Sequence, residues 1–407
     1  MKIRRFINEL CIFKHRASAT KNEHKAAEHI YQIMRNIGLV ATIDSFRSQQ
    51  RMTWELIAIM LFFIAEVTLY FFNPVASLVS GLAGIVLFWG YFTTCFKPLA
   101  PLFRFARSGN VVGRLIHSNA PFKIVFTAHH DTARSGPLWN PKTVANFRLN
   151  FLLGFFILLA LQILLILRLT FSNIFIINLL VIVIGVYIVG HIVVLLIGGL
   201  KGELVQGASD NASGVAVMLD IASRLKQDSF PLMDFWFVST GSEEVGAVGM
   251  ANFLKTYAED LDKENTYFIN FDNLGKGTPH YFLGEGMLNL YKFSPELINA
   301  AERTSRLKEF KEISPAKYTV AYTDAIVPAC RGYKAILFLA LDERGLIPNW
   351  HWHTDTIENI DFAVPQLTSD FVMEMLKNLS EILKLKLEKN AEHLKQLQKE
   401  MLESEIF

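Results

Sequence analysis

Side chains able to hold a cation or move a proton gather in five short segments: Ala128-His129-His130-Asp131-Thr132, Gly207-Ala208-Ser209-Asp210-Asn211-Ala212-Ser213-Gly214, Gly241-Ser242-Glu243-Glu244-Val245-Gly246, Phe271-Asp272-Asn273 and His351-Trp352-His353-Thr354-Asp355-Thr356. Each alone reads as ordinary structure. A His-x-Asp is a surface or cap feature, Asp-Asn-Ala-Ser-Gly a turn and helix cap, and Glu-Glu a solvated helix start. Together they supply aspartates, a glutamate pair and histidines at both ends, which are the oxygen and nitrogen donors that a hydrolytic zinc pair prefers. His130 stands apart from this group, because alternation along a strand points it away from His129.

Donors so far apart in the chain converge only where a fold gathers them, and an open α/β sheet does so in the crevice at its strand carboxyl ends. Apolar periodicity predicts strands over 111–116, 123–127, 233–239, 267–270 and 335–341, and helices over 24–36, 212–225, 247–257 and 295–303. A long charged helix is expected from 362 to about 403. All five chemical segments are expected to lie just after strands of such a sheet. The expected fold class is α/β, a mostly parallel, mixed sheet flanked by helices.

Four apolar runs, 56–72, 75–96, 151–169 and 174–200, interrupt this pattern. Each approaches the ~20 residues needed to cross a hydrocarbon core of ~30 Å. The first two are joined at Asn73-Pro74 and the last two over 170–173, so four transmembrane helices are expected as two hairpins that enter and leave on one side. The chain then divides into a catalytic domain in three parts, 1–53, 97–148 and 201–407, the last ending in the C-terminal helix, with transmembrane hairpins at 54–96 and 149–200. Arg47, Arg51, Lys97, Arg104, Arg107, Lys142, Arg148 and Lys201 flank the hairpins on the catalytic side, against Arg168 near the opposite turns, which predicts a cytoplasmic catalytic domain. Glu66 and His191 fall within apolar runs, where an ionisable group is costly; an interhelix hydrogen bond is the expected role.

Composition agrees with a bilayer partner. Hydrophobic residues make up 51% and charged residues 19%, and mean hydropathy is +0.29, too apolar for an ordinary soluble enzyme. No tract of Lys and Arg interleaved with aromatics suggests a nucleic-acid surface. Cys11, Cys95 and Cys330 lack the spacing of a disulfide framework or a zinc knuckle. The polar start of the chain has no short apolar core followed by a cleavage site, so no cleaved signal peptide is expected.

The five segments, in this order, resemble the di-zinc aminopeptidase family that also includes glutamate carboxypeptidase and glutaminyl cyclase relatives. The resemblance covers nearly all of the polar chain. It implies two zinc ions, with Asp210 bridging them, His129 and Asp272 completing one site, and Glu244 and His351 the other. Glu243 would be the general base toward the attacking water, Asp131 would orient His129, and the Asp210-Asn211 peptide would be cis.

These implied roles are physically coherent. A shared carboxylate reduces the repulsion between two dications and fixes their separation. A metal-bound histidine usually donates its second N–H to an acceptor nearby. One glutamate of an adjacent pair can be held while the other moves a proton. His351 rather than His353 is the expected ligand, because the family's histidine stands four residues before an Asp-Thr pair; His353 would line the rim. Thr323-Asp324-Ala325 resembles a late Ser-Asp-His segment of the family but has Ala325 in the histidine's place, which leaves open whether Tyr318 or Tyr322 serves as a hydrogen-bond donor. The expected activity is a membrane-anchored di-zinc metallopeptidase acting on a peptide or amide substrate as an aminopeptidase. The alternatives are a glutaminyl-cyclase-like single-zinc acyl transferase and a non-catalytic membrane sensor.

Overall fold

The structure, a computed structural model, describes residues 2–117, 120–171, 174–228 and 230–404, with side chains as far as residue 392. One mixed sheet runs in the order β1 (Val40–Ser48), β2 (Ala106–Leu115), β4 (Met233–Thr240), β3 (Phe122–His129), β5 (Thr266–Asp272), β9 (Lys334–Leu341), β6 (Thr278–Glu285) and β7 (Tyr291–Lys292), with β8 (Ser314–Tyr318) paired to β6. Its centre, β4-β3-β5-β9, is parallel. The pairs β1–β2, β2–β4, β9–β6 and β6–β7 are antiparallel, and β8 joins β6 parallel. Every residue of β5 is buried, as expected of a parallel strand covered on both faces, and this is why it reads as a continuous apolar run.

One face of the sheet carries α1 (Lys2–Cys11), α2 (Lys21–Ile37), α7 (Gly214–Leu225), α9 (Pro295–Ser305) and α11 (Ala363–Ser404). There Leu10, Ile30, Met218, Leu297 and Phe371 join the strand side chains Phe126, Phe237, Phe271 and Phe338 in one core. The opposite face packs α8 (Val248–Thr256) and the short α10 (Ile326–Ala329) on Val125, Val238, Phe268 and Leu337. α2 shows how local sequence sets an element's bounds. The Thr20 hydroxyl accepts the Glu23 N–H at its start, and Gly38, at φ 98°, closes its end in the left-handed region.

The apolar runs form a separate helical bundle: α3 (Thr53–Leu69), α4 (Pro74–Phe92), α5 (Phe147–Thr170) and α6 (Phe175–Lys201). α3 packs on α4 and α6, and α5 on α4 and α6, around Phe63, Phe88, Leu161 and Val181. Outward-facing Leu82, Val86, Phe156, Ile163, Ile182 and Val186 are exposed.

The expected count of four spanning helices is not supported. Among the described residues, three helical segments are long and apolar enough to cross a membrane: Pro74–Phe92, Val144–Thr170 and Phe175–Lys201. α3 has 17 residues, a rise of about 25 Å, and carries Glu55 and Glu66. Between α3 and α4, Asn73 caps α4 by accepting the Ala76 N–H at 3.1 Å. The second expected turn includes residues 172–173, which lie outside the described residues. Glu66 is buried where α3, α4 and α5 meet, and Gln162 Nε2 donates to its two carboxylate oxygens at 2.8 and 2.9 Å. A Cβ on Gly81 would stand 2.3 Å from the Glu66 carboxyl carbon, so this close approach requires glycine.

Candidate metal centre

The parallel strands deliver the chemical segments to one edge. His129 ends β3, Asp272 ends β5, and the loop bearing Glu243 and Glu244 follows β4. Asp210 sits in the turn before α7, where the Asp210-Asn211 peptide is cis, and His351 lies in the loop after β9. His351 and Ser242 have φ of 49° and 57°, a left-handed conformation that non-glycine side chains adopt only where the surroundings hold it.

Asp210 stands between two histidines. His129 Nε2 lies 3.2 Å from its Oδ1 and His351 Nε2 lies 3.1 Å from its Oδ2. His129 Nε2 also approaches Asp272 Oδ1 at 3.5 Å, and His351 Nε2 approaches Glu244 Oε2 at 3.1 Å. All five side chains are almost entirely shielded from solvent. His353 is exposed and packs on Trp352, away from the cluster. His130 turns away as well, with Nδ1 3.0 Å from Ser239 Oγ; burial lowers it to about 3.

The donor set fits metal ions. Two donors bonded to one zinc at about 2.0–2.1 Å in tetrahedral geometry stand about 3.3 Å apart, which matches the separations within each histidine half. Burial raises the Asp210 carboxyl, but hydrogen bonds from His129 and His351 outweigh it and hold the group far below the usual carboxylate range. Burial pushes Glu244 up to about 7, and it raises Glu243 and Asp272 as well. His351 is held at about 10: burial lowers it, and the charges of Glu244 and Asp210 more than compensate. Buried carboxylates at this density require positive charge among them. Glu244 Oε1 is shielded from solvent and has no hydrogen-bond partner.

Asp131 approaches His129 and also makes contacts that the sequence did not foretell. Its carboxylate is 3.7 Å from His129 Nδ1, and the nearer acceptor for that nitrogen is its main-chain oxygen, at 3.1 Å. The carboxylate instead accepts the backbone N–H groups of Glu243 (2.8 Å) and Glu244 (3.2 Å), which fixes the loop that presents both glutamates.

Two supports went unread in the sequence. Asp355 accepts the backbone N–H groups of Ser209 and Asp210, and fully buried Arg16 donates to the carbonyls of His130, Gln206 and Gly207, each at 2.8 Å. The spacing from Asp355 to His351 was a usable signal for the first. Arg16, far away in sequence, gave none. Tyr318 and Tyr322 both line the cavity beside the cluster, and burial raises both phenols. Asp324 is buried and accepts a short hydrogen bond from Thr240.

The helical bundle is tied to these loops directly. After His129 and before Asp210, the chain forms a short antiparallel ladder: Ser135 donates to Glu203 at 2.8 Å, Val205 donates to Ala133 at 3.3 Å, and Arg134 bridges Leu204. Past the end of α4, Lys97 Nζ donates to the Gly246 carbonyl at 2.8 Å, in the loop that carries both glutamates.

Comparison with known proteins agrees with this geometry. Residues 186–376 match the model of Peptidase family M28, a stretch that includes Asp210, Glu243, Glu244, Asp272 and His351 but begins after His129 and Asp131. The alkaline phosphatase isozyme conversion protein of Escherichia coli (strain K12) is 44% identical over 84 residues, which are 20% of this chain and 24% of that protein. This chain thus spans about a quarter of that relative's length. BSAP, a zinc aminopeptidase from Bacillus subtilis, shares the fold at TM-score 0.54 and 15% identity, covering 92% of this chain and 93% of its own. Porphyromonas gingivalis glutaminyl cyclase does so at TM-score 0.54 and 14% identity, covering 92% and 96%. The parallel sheet edge, the ligand-type cluster upon it and the matched residues agree: residues 186–376 are similar to Peptidase family M28, and the chain shares the fold of a zinc aminopeptidase and a glutaminyl cyclase.

Proposed function

We propose that this chain is a membrane-anchored, two-zinc aminopeptidase-type hydrolase of peptide or amide bonds. The observation that carries the reading is the position of Asp210, with one oxygen toward His129 and the other toward His351, as a carboxylate shared by two metal sites requires. His129, Asp210 and Asp272 would hold one zinc; His351, Asp210 and Glu244 the other. Bound zinc supplies Lewis acidity toward the amide carbonyl and toward water.

The chain's own residues supply the rest. Glu244 is the glutamate of the pair that forms an ion pair with a histidine, which leaves Glu243, also lining the cavity, to take the proton of the attacking water and return it to the leaving amine. Asp131 and Asp355 act as positioning residues, each gripping two consecutive backbone N–H groups beneath a ligand. Tyr318 and Tyr322, protonated by virtue of their burial, are placed to donate toward a substrate carbonyl.

Apolar side chains exposed along α4, α5 and α6 support a bilayer around the bundle. The excess of Arg and Lys on the catalytic side supports a cytoplasmic position for that side. The test is zinc content of the purified chain together with hydrolysis of amino-acid anilides and dipeptides. Two zinc ions per chain and anilide hydrolysis are expected. One zinc with cyclisation of amino-terminal glutamine would replace this reading by the glutaminyl-cyclase one, and neither zinc nor turnover would leave a membrane sensor.

A further inference from the structure

A cavity of about 440 Å³ begins at Asp210, Glu243 and His351 and continues between the helices of the bundle. This volume is that of a small-molecule site. Along α5 its wall runs from Phe147 to Leu158, a rise of about 16 Å. Met60 of α3, Phe88 of α4 and Ile188 of α6 form other parts of the wall. The cluster therefore opens into an apolar space bounded by α3 and by three helices long and apolar enough to cross a membrane.

The wall discriminates between occupants. A peptide entering this space would bring one N–H and one C=O with each residue, and these cost free energy when they go unpaired. Polar side chains on the helical wall are few: Tyr91, Asn150, Tyr187 and His191, of which the last two stack edge to face at 4.4 Å. A linear hydrocarbon chain brings no such groups and gains by burial. Resting on the hydrolase reading above, we propose that the substrate is a lipid-linked amide, with a polar amino-acid head at the cluster and a hydrocarbon chain between α3, α4, α5 and α6. The reaction remains hydrolysis. Water oxygen bonds to the amide carbon, the C–N bond breaks, and the amine leaves with the proton.

Gly154 provides the test, because it lines the cavity and a side chain there would project toward Tyr187, whose hydroxyl lies 3.2 Å from an added Cβ. Gly190 is the control: exposed on α6, with nothing within 4 Å of an added Cβ. Zinc-loaded full-length chain in phosphatidylcholine nanodiscs is given two series, alanine N-alkylamides and N-acylalanines, from four to twelve carbons. The series that shows a slope identifies the side of the amide bearing the chain. For the wild type, KM should fall about threefold to fourfold per methylene until the cavity is filled. Partition into the bilayer is common to all variants, so the comparison between proteins reports the cavity. Gly154→Phe should reduce the twelve-carbon to four-carbon ratio of kcat/KM at least tenfold, whatever its absolute activity, and Gly190→Phe should leave the ratio unchanged. The same ratio in all three proteins overturns the proposal. A diazirine-tipped alanine dodecylamide on chelator-stripped wild-type chain gives a readout independent of turnover and of the variant's folding. Label on α5 and α6 peptides that line the cavity is expected, and label confined to outward faces overturns the proposal. Cavity labelling without any hydrolysis would sink the hydrolase reading alone, while anilide hydrolysis without slope or label would sink only the lipid-amide one.

Discussion

Asp355 accepts the backbone N–H of Asp210 at 3.1 Å through Oδ2, while its Oδ1 accepts that of Ser209 at 2.7 Å. The residue that faces both histidines is thus held from below by a second carboxylate. Burial, and after it the charge of Asp210, pushes Asp355 up to about 7. Asp355→Asn should weaken that grip, because an amide offers one acceptor oxygen where two are used. Zinc affinity, measured by chelator competition, is expected to drop about 10–100-fold with the fold retained. Unchanged affinity would leave Asp355 a merely structural cap.

Glu243→Gln should retain both zinc ions and the folded state while lowering kcat about 10²–10⁴-fold, because it removes the proton acceptor and leaves every proposed ligand in place. Metal analysis and turnover on one preparation check this. Near-normal kcat in a zinc-replete variant would assign the base elsewhere.

His351→Ala should lose one zinc and essentially all activity. His353→Ala, removing an exposed side chain away from the cluster, should keep both ions and kcat. The reverse pattern in metal content would move the ligand role to His353.

Arg16→Met leaves four backbone carbonyls, those of Leu10, His130, Gln206 and Gly207, without their guanidinium donors. Unpaired buried polar groups cost about 1–3 kcal/mol each, so thermal unfolding should begin several degrees lower. Arg16→Lys should restore only part of this, since an ammonium cannot match the planar fork. Equal melting of Arg16→Met and wild type would contradict this account.

Burial raises Glu285 to about 8, against the hydrogen bonds it accepts from Thr323. A carboxyl whose folded pKa lies above its unfolded value near 4.5 favours the folded state fully below pH 4.5, and that contribution is lost as pH rises toward 8. Glu285→Gln removes the loss. The melting temperature of the variant relative to wild type should therefore increase steadily from pH 5 to pH 8. A difference independent of pH would show that Glu285 titrates as an ordinary surface carboxyl.

The parts of this molecule legible in sequence are those whose environment leaves a periodic trace. β3, β4, β5 and β9 are buried on both faces and read as apolar runs, and the residues just beyond them are the ones that meet at the cluster. β1 gave no such trace. It is an edge strand, largely solvated along its length, so its polar Thr42, Asp44, Ser45 and Arg47 look like loop. β6 contains Pro279 and Gly284, which depress strand propensity, and β7 is only two residues long. The support from Asp131 escaped for another reason: its carboxylate binds backbone N–H groups of residues 112 and 113 positions away, and a backbone donor has no side-chain identity to read. α3 misled by composition, since its apolar run continues into the turn at Tyr70-Phe71-Phe72 while the helix ends at Leu69.

The ladder that joins residues 133–135 to 203–205 closes the base of the α5–α6 hairpin between His129 and Asp210. With those helices in a bilayer, the hairpin becomes a lever whose short arm ends at two proposed ligands. A helix longer than the hydrocarbon core relieves the mismatch by tilting, among other responses. Lipids of different chain length would then change the spacing of His129 and Asp210 before any solute reached the cluster, and turnover would register the thickness of the membrane in which the protein is inserted.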